Sequence, residues 1–276
     1  MNNADKRIVV YGKFDDIRSS DVRFLQEAAL FGLLYVFLWD DELIRSATGR
    51  DPKFPESERL YFLQAIRYVH KVCLLRQQSG AEEFASIKDV HPHTWIVRQG
   101  DYTPAIRTLC KNERLEYRIL AKTVLEGFPN ISETKQNETS GKKVLVTGCY
   151  DWFHSGHVRF FEEVSELGDL YVVVGHDANI RILKGEGHPM FPQEVRRYMV
   201  SSIRYVTQAL ISTGHGWLDA EPELKRLKAD IYAVNEDGDK PEKRKYCQEN
   251  GIEYVVLKRL PKAGLPRRES TVMRGF

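Results

Sequence analysis

The chain has few of the features that mark a membrane, exported or nucleic-acid-binding protein. Its longest apolar run, Leu33 to Trp39, is far shorter than the roughly 20 residues that a bilayer-spanning helix requires. Residues 1–7 contain no apolar segment that could serve as an export signal. The formal net charge is only +2, so no extended basic surface for nucleic acid or anionic lipid is indicated. We therefore expect a cytoplasmic protein without membrane insertion and without a nucleic-acid partner.

Cysteine is also scarce, which bears on both redox state and chemistry. The four cysteines, Cys73, Cys110, Cys149 and Cys247, show no C-x-x-C spacing. In a cytoplasmic protein they are predicted to be reduced thiols. No Ser-His-Asp pattern or activated cysteine is evident, which favours direct displacement over a covalent enzyme intermediate. Short basic clusters such as 258–259 and 267–268 are interpreted as phosphate ligands or as solvated surface.

The most informative segment is residues 147–157, Thr-Gly-Cys-Tyr-Asp-Trp-Phe-His-Ser-Gly-His. It follows an apolar, strand-like run and precedes a helix-like one, so it predicts a strand that turns tightly into a helix. A helix N-terminus offers unpaired N–H groups and the positive end of a dipole. Gly156 would let a phosphate approach the backbone closely, and His154 and His157 can add donors or positive charge. The segment therefore predicts a polyphosphate site.

This segment resembles the hallmark G-x-[FY]-D-x-x-H-x-G-H of the cytidylyltransferase-like nucleotidyltransferases. Further elements that resemble those of the family follow in order: a Lys-Gly pair at 184–185, a helix with Arg196, and an R-x-S-T element at 268–271. The resemblance implies that four residues act in catalysis and phosphate clamping: His154, His157, Lys184 and Arg196.

The same resemblance implies the remaining parts of the site. The implied nucleotide-binding residues are Gly148, Cys149, Tyr150, Gly156, Asp237, Arg268, Ser270 and Thr271. Asp151 and Trp152 are expected to face the acceptor. Mg²⁺ is the expected cofactor, with Asp151 as its candidate protein ligand, although Mg²⁺ mostly prefers waters and phosphates.

The chain also contains an internal repeat. Residues 7–50 align with 143–186 at a constant offset of 136, with sixteen identities in forty-four positions, and the similarity continues at an offset of 137. This predicts a tandem duplication of one domain. We predict a degenerate domain at 1–130, a linker at 131–141 and a catalytic domain at 142–276. In the first copy Arg18, Ser20, Asp21, Thr48 and Gly100 stand where the second has His154, Gly156, His157, Lys184 and Asp237.

Each copy alternates strand-like and helix-like segments, which predicts an α/β fold with a parallel sheet, so the chain reads as two tandem Rossmann-like domains. In the second copy, strands are predicted near 144–148, 170–175, 206–212, 231–235 and 253–257. Both copies keep an Arg-Tyr-Val segment, at 67–69 and 204–206. We predict that these segments pack in an intramolecular pseudo-dimer, with a further homo-oligomer left open.

The favoured function is a nucleotidyltransferase that moves a nucleoside monophosphate, preferably CMP, from a nucleoside triphosphate to a small phosphorylated alcohol and releases pyrophosphate. The preference for CTP over ATP rests on the Arg-Tyr-Val segment and on the tandem arrangement, which ethanolamine-phosphate cytidylyltransferases share. One alternative is an adenylyltransferase that acts on a sugar phosphate or a coenzyme precursor. The other is a non-catalytic nucleotide-binding regulatory or scaffold protein.

Overall fold

The computed structural model describes residues 5–76, 87, 89–129 and 141–273. The chain divides into two compact units, residues 1–128 and 129–276. The predicted linker at 131–141 lies outside the described residues except for Gly141. The boundaries of the linker and the pseudo-dimer arrangement therefore stay predictions.

The first unit contains five strands and four α-helices among its described residues. In chain order they are β1 (Arg7–Gly12), α1 (Ser19–Ala29), β2 (Leu33–Trp39), α2 (Asp41–Thr48), α3 (Glu56–Ala65), β3 (Lys71–Leu75), β4 (Thr94–Arg98), α4 (Pro104–Asn112) and β5 (Glu116–Leu120). Short 3-10 turns follow β4 and β5.

The second unit contains five strands and six α-helices among its described residues. They are β6 (Lys143–Gly148), α5 (Ser155–Ser165), β7 (Asp169–Val174), α6 (Asp177–Lys184), α7 (Gln193–Ser201), β8 (Val206–Ile211), α8 (Glu221–Leu227), β9 (Ile231–Asn235), α9 (Pro241–Glu249), β10 (Glu253–Leu257) and α10 (Ser270–Met273). The five strands predicted from the sequence are confirmed to within one residue at each end. None of the helices among the described residues is long and apolar enough to cross a bilayer.

Both sheets are parallel and share one strand order. The first runs β3-β2-β1-β4-β5 and the second β8-β7-β6-β9-β10. In each, the chain starts at the central strand, builds one side of the sheet, and then crosses to build the other. The predicted α/β, Rossmann-like fold of both domains is confirmed.

This topology explains both the apolar strands and the position of the site. The central strands β6 and β7 are apolar on both faces and fully buried over 144–146 and 172–174, as expected where helices cover both faces of a parallel sheet. The direction of winding reverses between β6 and β9, which are neighbours in the sheet. Open α/β sheets bind ligands at the carboxyl ends of the strands beside such a reversal.

Candidate active site

The two motif histidines lie at this reversal point, where β6 passes through a turn into α5. His154 is the N-cap residue of α5, and its Nδ1 accepts a hydrogen bond of 3.1 Å from the backbone N–H of Gly156. A neutral ring with Nδ1 as acceptor carries its proton on Nε2. That Nε2 is buried and has no hydrogen-bond partner among the residues that the structure describes. A buried donor without a partner at a helix N-terminus can donate a hydrogen bond to an anionic ligand.

His157 lies one helical turn further along and is held by the same short segment. Its Nδ1 accepts from the backbone N–H of His154 at 3.3 Å, so its proton is also on Nε2. The two imidazoles stack with their centroids 3.9 Å apart, and the ring of Phe153 also stacks on His157, with a centroid distance of 5.3 Å. The reciprocal side-chain-to-backbone bonds form a capping box made of two histidines.

Both histidines are neutral near pH 7. Burial, with the positive charges of Arg259 and Arg268, lowers the pKa of His154 to about 3. Burial, with His154, Arg259 and Lys184, lowers the pKa of His157 well below its ordinary value. The sequence allowed either neutral or positively charged histidines. The charged form is disfavoured because both rings are buried near other positive charges. The site offers two neutral N–H donors.

Two positions of the motif must be glycine because aromatic rings pack directly against their Cα atoms. A Cβ on Gly156 would lie 2.9 Å from Cε1 of the His154 ring, and one on Gly148 would lie 2.7 Å from the ring of Tyr150. Tyr150 has a positive φ of 53° and is 5% exposed, with its ring edge-on to His157. Tyr150 therefore packs against His157, and Gly148 leaves room for the tyrosine ring; the predicted nucleotide contacts of both residues stay predictions.

Arg196 is the clearest correction to the sequence-based site. It was predicted to clamp phosphate, but its side chain is 1% exposed. Its guanidinium donates to the backbone carbonyls of Phe191, Cys149 and Gly175, and to the Asp177 carboxylate at 2.6 Å. With its donors committed to three separate loops, Arg196 positions the segments around the site and does not face a ligand. Arg59 of the first unit makes the equivalent contacts to Phe54, Lys13, Trp39 and Asp41.

Asp151 and Trp152 also serve the scaffold. Both carboxylate oxygens of Asp151 accept from the backbone N–H of Met190, and Oδ1 accepts from that of Phe191 as well, at 2.8–2.9 Å. Trp152 is 7% exposed and packs on the same segment, with its Nε1 3.1 Å from Sδ of Met190. Two backbone N–H donors hold the Asp151 carboxylate against the segment at 190–191, so its predicted use as a metal ligand stays a prediction. No cluster of three or more metal-binding side chains occurs among the described residues.

A cationic pocket opens beside the histidines, and its principal arginine, Arg259, was named from the sequence only as part of a short basic cluster that could bind phosphate or be solvated. Arg259 follows β10, with Nη1 2.5 Å from Oδ2 of Asp237 and Nη2 3.5 Å from the backbone carbonyl of Arg268. Asp237 orients this arginine, and its predicted contact with the nucleotide stays a prediction. The pocket is lined by Gly156, Phe160, Glu163, Asn235, Lys258, Arg259, Leu260, Pro261, Arg267 and Arg268. A sequence signal existed, because 258–259 follow the last strand at the ligand-binding edge.

The other predicted residues surround the same centre. Lys184 is the exposed last residue of α6 and lies near enough to His157 to affect its pKa. Ser270 begins α10, and its Oγ donates to the backbone carbonyl of Trp152 at 3.2 Å. The backbone of Thr271 belongs to α10, but its side chain lies outside the described residues. Cys149 presents its carbonyl to Arg196, and burial raises the pKa of its thiol.

The corresponding position in the first unit is filled by an internal ion pair. Asp21 caps α1 by accepting from the backbone N–H of Arg18 at 2.8 Å. Its other oxygen pairs at 2.6 Å with Arg98, whose guanidinium lies over the ring of Phe24. A carboxylate therefore occupies the helix N-terminus where an anionic ligand would have to bind. This gives a physical reason for the prediction that the first domain is not catalytic.

The second unit is similar in sequence to a known family. A family model described as cytidylyltransferase-like matches residues 145–258. The chain is 33% identical over 120 residues to the FAD synthase of Ferroglobus placidus, which covers 42% of this chain and 75% of that enzyme. It is 36% identical over 122 residues to the FAD synthase of Methanopyrus kandleri, covering 42% of this chain and 78% of that enzyme.

Two further similarities are partial. The Bifunctional protein HldE of Nitratiruptor sp. is 38% identical over 119 residues, which is 42% of this chain and 26% of that protein. Among solved structures, the lipopolysaccharide core biosynthesis protein of Thermoplasma volcanium is 23% identical, with a TM-score of 0.37, covering 46% of this chain and 98% of that one.

Proposed function

Because this chain belongs to the cytidylyltransferase-like nucleotidyltransferases, we propose that its second domain transfers AMP from ATP to a phosphate monoester and releases pyrophosphate. The similarity to the FAD synthases favours ATP as the donor, since FAD contains an AMP group joined to FMN by a phosphoanhydride. They thus support the adenylyltransferase alternative from the sequence, whereas the preference for CTP and a phosphorylated alcohol has no support among them.

The observation that carries the proposal is the pair of neutral Nε2–H donors of His154 and His157 beside a cationic pocket. An oxygen of the acceptor phosphate attacks the α-phosphorus of ATP, and the bond between that phosphorus and the α,β-bridging oxygen breaks. The bonding electrons leave with pyrophosphate, so no proton transfer and no enzyme nucleophile is needed. The histidine donors would stabilise the charge that develops on the α-phosphate oxygens.

The cationic pocket suits the other end of ATP. Arg259 and Arg268 would hold the β- and γ-phosphates and stabilise the departing pyrophosphate. Lys184, at the end of α6, would neutralise the phosphates from the opposite side. Arg196 and Asp151 act as positioning residues, because each ties the motif turn to a neighbouring loop.

We propose Mg²⁺ as part of the substrate, MgATP. Magnesium usually retains several waters and binds through substrate phosphates and few carboxylates. In this proposal the Asp151 carboxylate serves to fix the segment at 190–191 through backbone N–H groups, and the metal is held mainly by the phosphates. The role of the protein residues is therefore to orient the phosphates.

The test is a matrix of donors and acceptors. The full chain would be incubated with MgATP, MgCTP, MgGTP or MgUTP and with FMN, glycerol 3-phosphate, phosphoethanolamine or a sugar 1-phosphate, while pyrophosphate is measured and the product is identified by mass. We expect ATP to give the highest kcat/KM. A higher value for CTP with every acceptor would restore CMP transfer, and binding without pyrophosphate release in any pair would favour the scaffold alternative.

A further inference from the structure

A buried lysine, Lys243, contacts the turn that carries Asp237, the ion-pair partner of Arg259 in the cationic pocket. Lys243 is the third residue of α9, and only 8% of it is exposed. Burial of an ammonium group costs free energy because the group loses its water, so lysine is almost never buried without a partner. The contacts of this ammonium group must therefore account for its position.

The ammonium group of Lys243 lies between a backbone carbonyl and an aromatic ring. Its Nζ donates to the carbonyl of Gly238 at 3.1 Å and lies 5.7 Å from the centroid of the Tyr232 ring. A cation over an aromatic face at this distance is attracted by the ring. Gly238 is the last residue of the 3-10 turn Glu236–Gly238, which follows β9. Lys243 thus ties the start of α9 to the end of this turn and to β9.

Three carboxylates lie near the same ammonium group. Burial lowers the pKa of Lys243, as does the charge of Lys240, whereas the charges of Asp219, Asp239 and Asp237 raise it. Opposite charges attract more strongly in a partly buried setting than in water. The lysine therefore holds the turn by electrostatic attraction as well as by its hydrogen bond.

The turn connects this lysine to the phosphate-binding side of the site. Asp237 directly precedes Gly238, and its Oδ2 lies 2.5 Å from Nη1 of Arg259. Arg259 lines the cationic pocket, and its charge contributes to lowering the pKa of both His154 and His157. A shift of the turn would move the carboxylate that orients this arginine. The arginine would then lose its direction towards the pocket.

The first unit shows that the fold does not need a lysine at this position. Helix α4 of the first unit and α9 both have nine residues and begin with proline, and a 3-10 turn of three residues precedes each of them. The repeat-equivalent residue of Lys243 is Ile106, which is buried in the apolar core of its unit. The equivalent of Asp237 is Gly100. The buried lysine therefore occurs together with the aspartate that orients Arg259, and both are replaced in the domain that lacks the histidines.

We propose that Lys243 is a positioning residue for the cationic pocket. It holds the turn at 236–238 so that Asp237 keeps Arg259 directed to the terminal phosphates of the nucleotide. The inference rests on the proposed function and deepens it, because it makes the affinity for polyphosphate depend on a residue outside the pocket lining. The histidine donors are fixed separately, by capping bonds within α5, so loss of the lysine should affect phosphate binding and spare the chemical step.

The experiment compares wild type with Lys243→Met, which keeps the length of the side chain and removes its charge. The full chain is titrated with inorganic pyrophosphate in a calorimeter and assayed with MgATP. We expect pyrophosphate binding to weaken about fivefold and the KM for MgATP to rise by about the same factor, with kcat within about twofold. The thermal midpoint of unfolding should not fall, because an apolar side chain replaces a buried charge. Lys245→Met is the matched control, since Lys245 lies on the same helix with a side chain that is 76% exposed, and it should change none of these values.

A double-mutant cycle separates positioning from a direct effect of the charge on the phosphates. In an Arg259→Ala background, Lys243→Met should change pyrophosphate affinity by less than about 1.5-fold, because both substitutions act through the same arginine. Additive losses would mean that the lysine attracts phosphate directly and would overturn the inference. Asp237→Asn breaks the same connection at a side chain that is 53% exposed, and it should reproduce the loss of affinity without disturbing α9.

Other results would overturn the inference and leave the proposed function standing. One is an unchanged pyrophosphate affinity in a folded Lys243→Met protein. Another is loss of fold in that variant while Asp237→Asn binds pyrophosphate as wild type does, which would assign the lysine to stability. Absence of pyrophosphate binding to wild type would also overturn it. The proposed function fails separately, if no nucleoside triphosphate releases pyrophosphate with any acceptor, and weaker pyrophosphate binding by both variants would still support the role of Lys243.

Discussion

Gly156→Ala should separate catalysis from folding in this protein. Gly156 is the second residue of α5, and an added Cβ would lie 2.9 Å from Cε1 and 3.0 Å from Nδ1 of His154. Ordinary contacts begin near 3.4 Å, so the imidazole would have to move by roughly half an ångström. That ring is fixed by its 3.1 Å bond from the Gly156 N–H and by its stack on His157. The methyl group therefore displaces the buried Nε2–H donor.

The expected effects on stability and on rate differ in size. Alanine in place of glycine favours the helix by about 0.5–1 kcal/mol, and loss of the N-cap bond costs about 1 kcal/mol. These terms nearly cancel, so the free energy of unfolding should change by less than about 1 kcal/mol. Loss of one preorganised donor to the transition state costs about 3 kcal/mol, which corresponds to a hundredfold or larger fall in kcat.

The assay is kcat with saturating MgATP and acceptor, measured beside the thermal midpoint of unfolding. A serine already stands at the corresponding position, Ser20, where the N-cap residue is Arg18 in place of a histidine. Ser20→Ala is thus the matched control, and it should alter neither quantity. A Gly156→Ala protein with kcat within threefold of wild type would refute the role given to His154. A fall in kcat accompanied by loss of fold would assign the glycine to stability instead.

Further predictions concern the donors, the arginines and pH. His157→Ala should lower kcat about a hundredfold or more, while Asp21→Ala in the first domain should leave it unchanged; comparable losses in steady-state assays would contradict the assignment. Arg259→Ala should raise the KM for ATP about tenfold or more at unchanged thermal stability, because a charge-assisted contact to phosphate is lost. Arg196→Ala should instead lower the free energy of unfolding by about 3 kcal/mol in denaturant titrations, since buried carbonyls and a carboxylate lose their donor. Finally, the pKa of His154 is about 3 in the folded state and about 6.5 in the unfolded state. The neutral ring therefore contributes fully to the free energy of unfolding above pH 6.5, and this contribution is lost as the pH falls towards 3. At pH 5 the loss should be about 2 kcal/mol in wild type and should be absent in His154→Gln, as unfolding at several pH values would reveal.

Much of the fold and the centre of the site follow from the sequence because both depend on short-range patterns. Apolar runs separated by helix-like segments are typical of parallel α/β sheets, and all five strands predicted for the second domain occur. His154, Gly156 and His157 lie within one turn at the start of a single helix. Their mutual geometry is therefore decided locally, by capping bonds that span two or three residues.

The direction in which a side chain points across the site is decided only by the tertiary structure. Arg196 and Arg259 are both arginines near the ligand-binding edge, and nothing local distinguishes them. Arg196 faces inward because the carbonyls of Cys149 and Gly175, 47 and 21 residues earlier in the chain, accept from it. Arg259 faces the pocket because Asp237, 22 residues earlier in the chain, orients it. The protonation state of the histidines is likewise decided by the tertiary structure. Their neutrality results from burial and from arginines that are about a hundred residues away in sequence, so it depends on how the chain packs and could not be read from the motif.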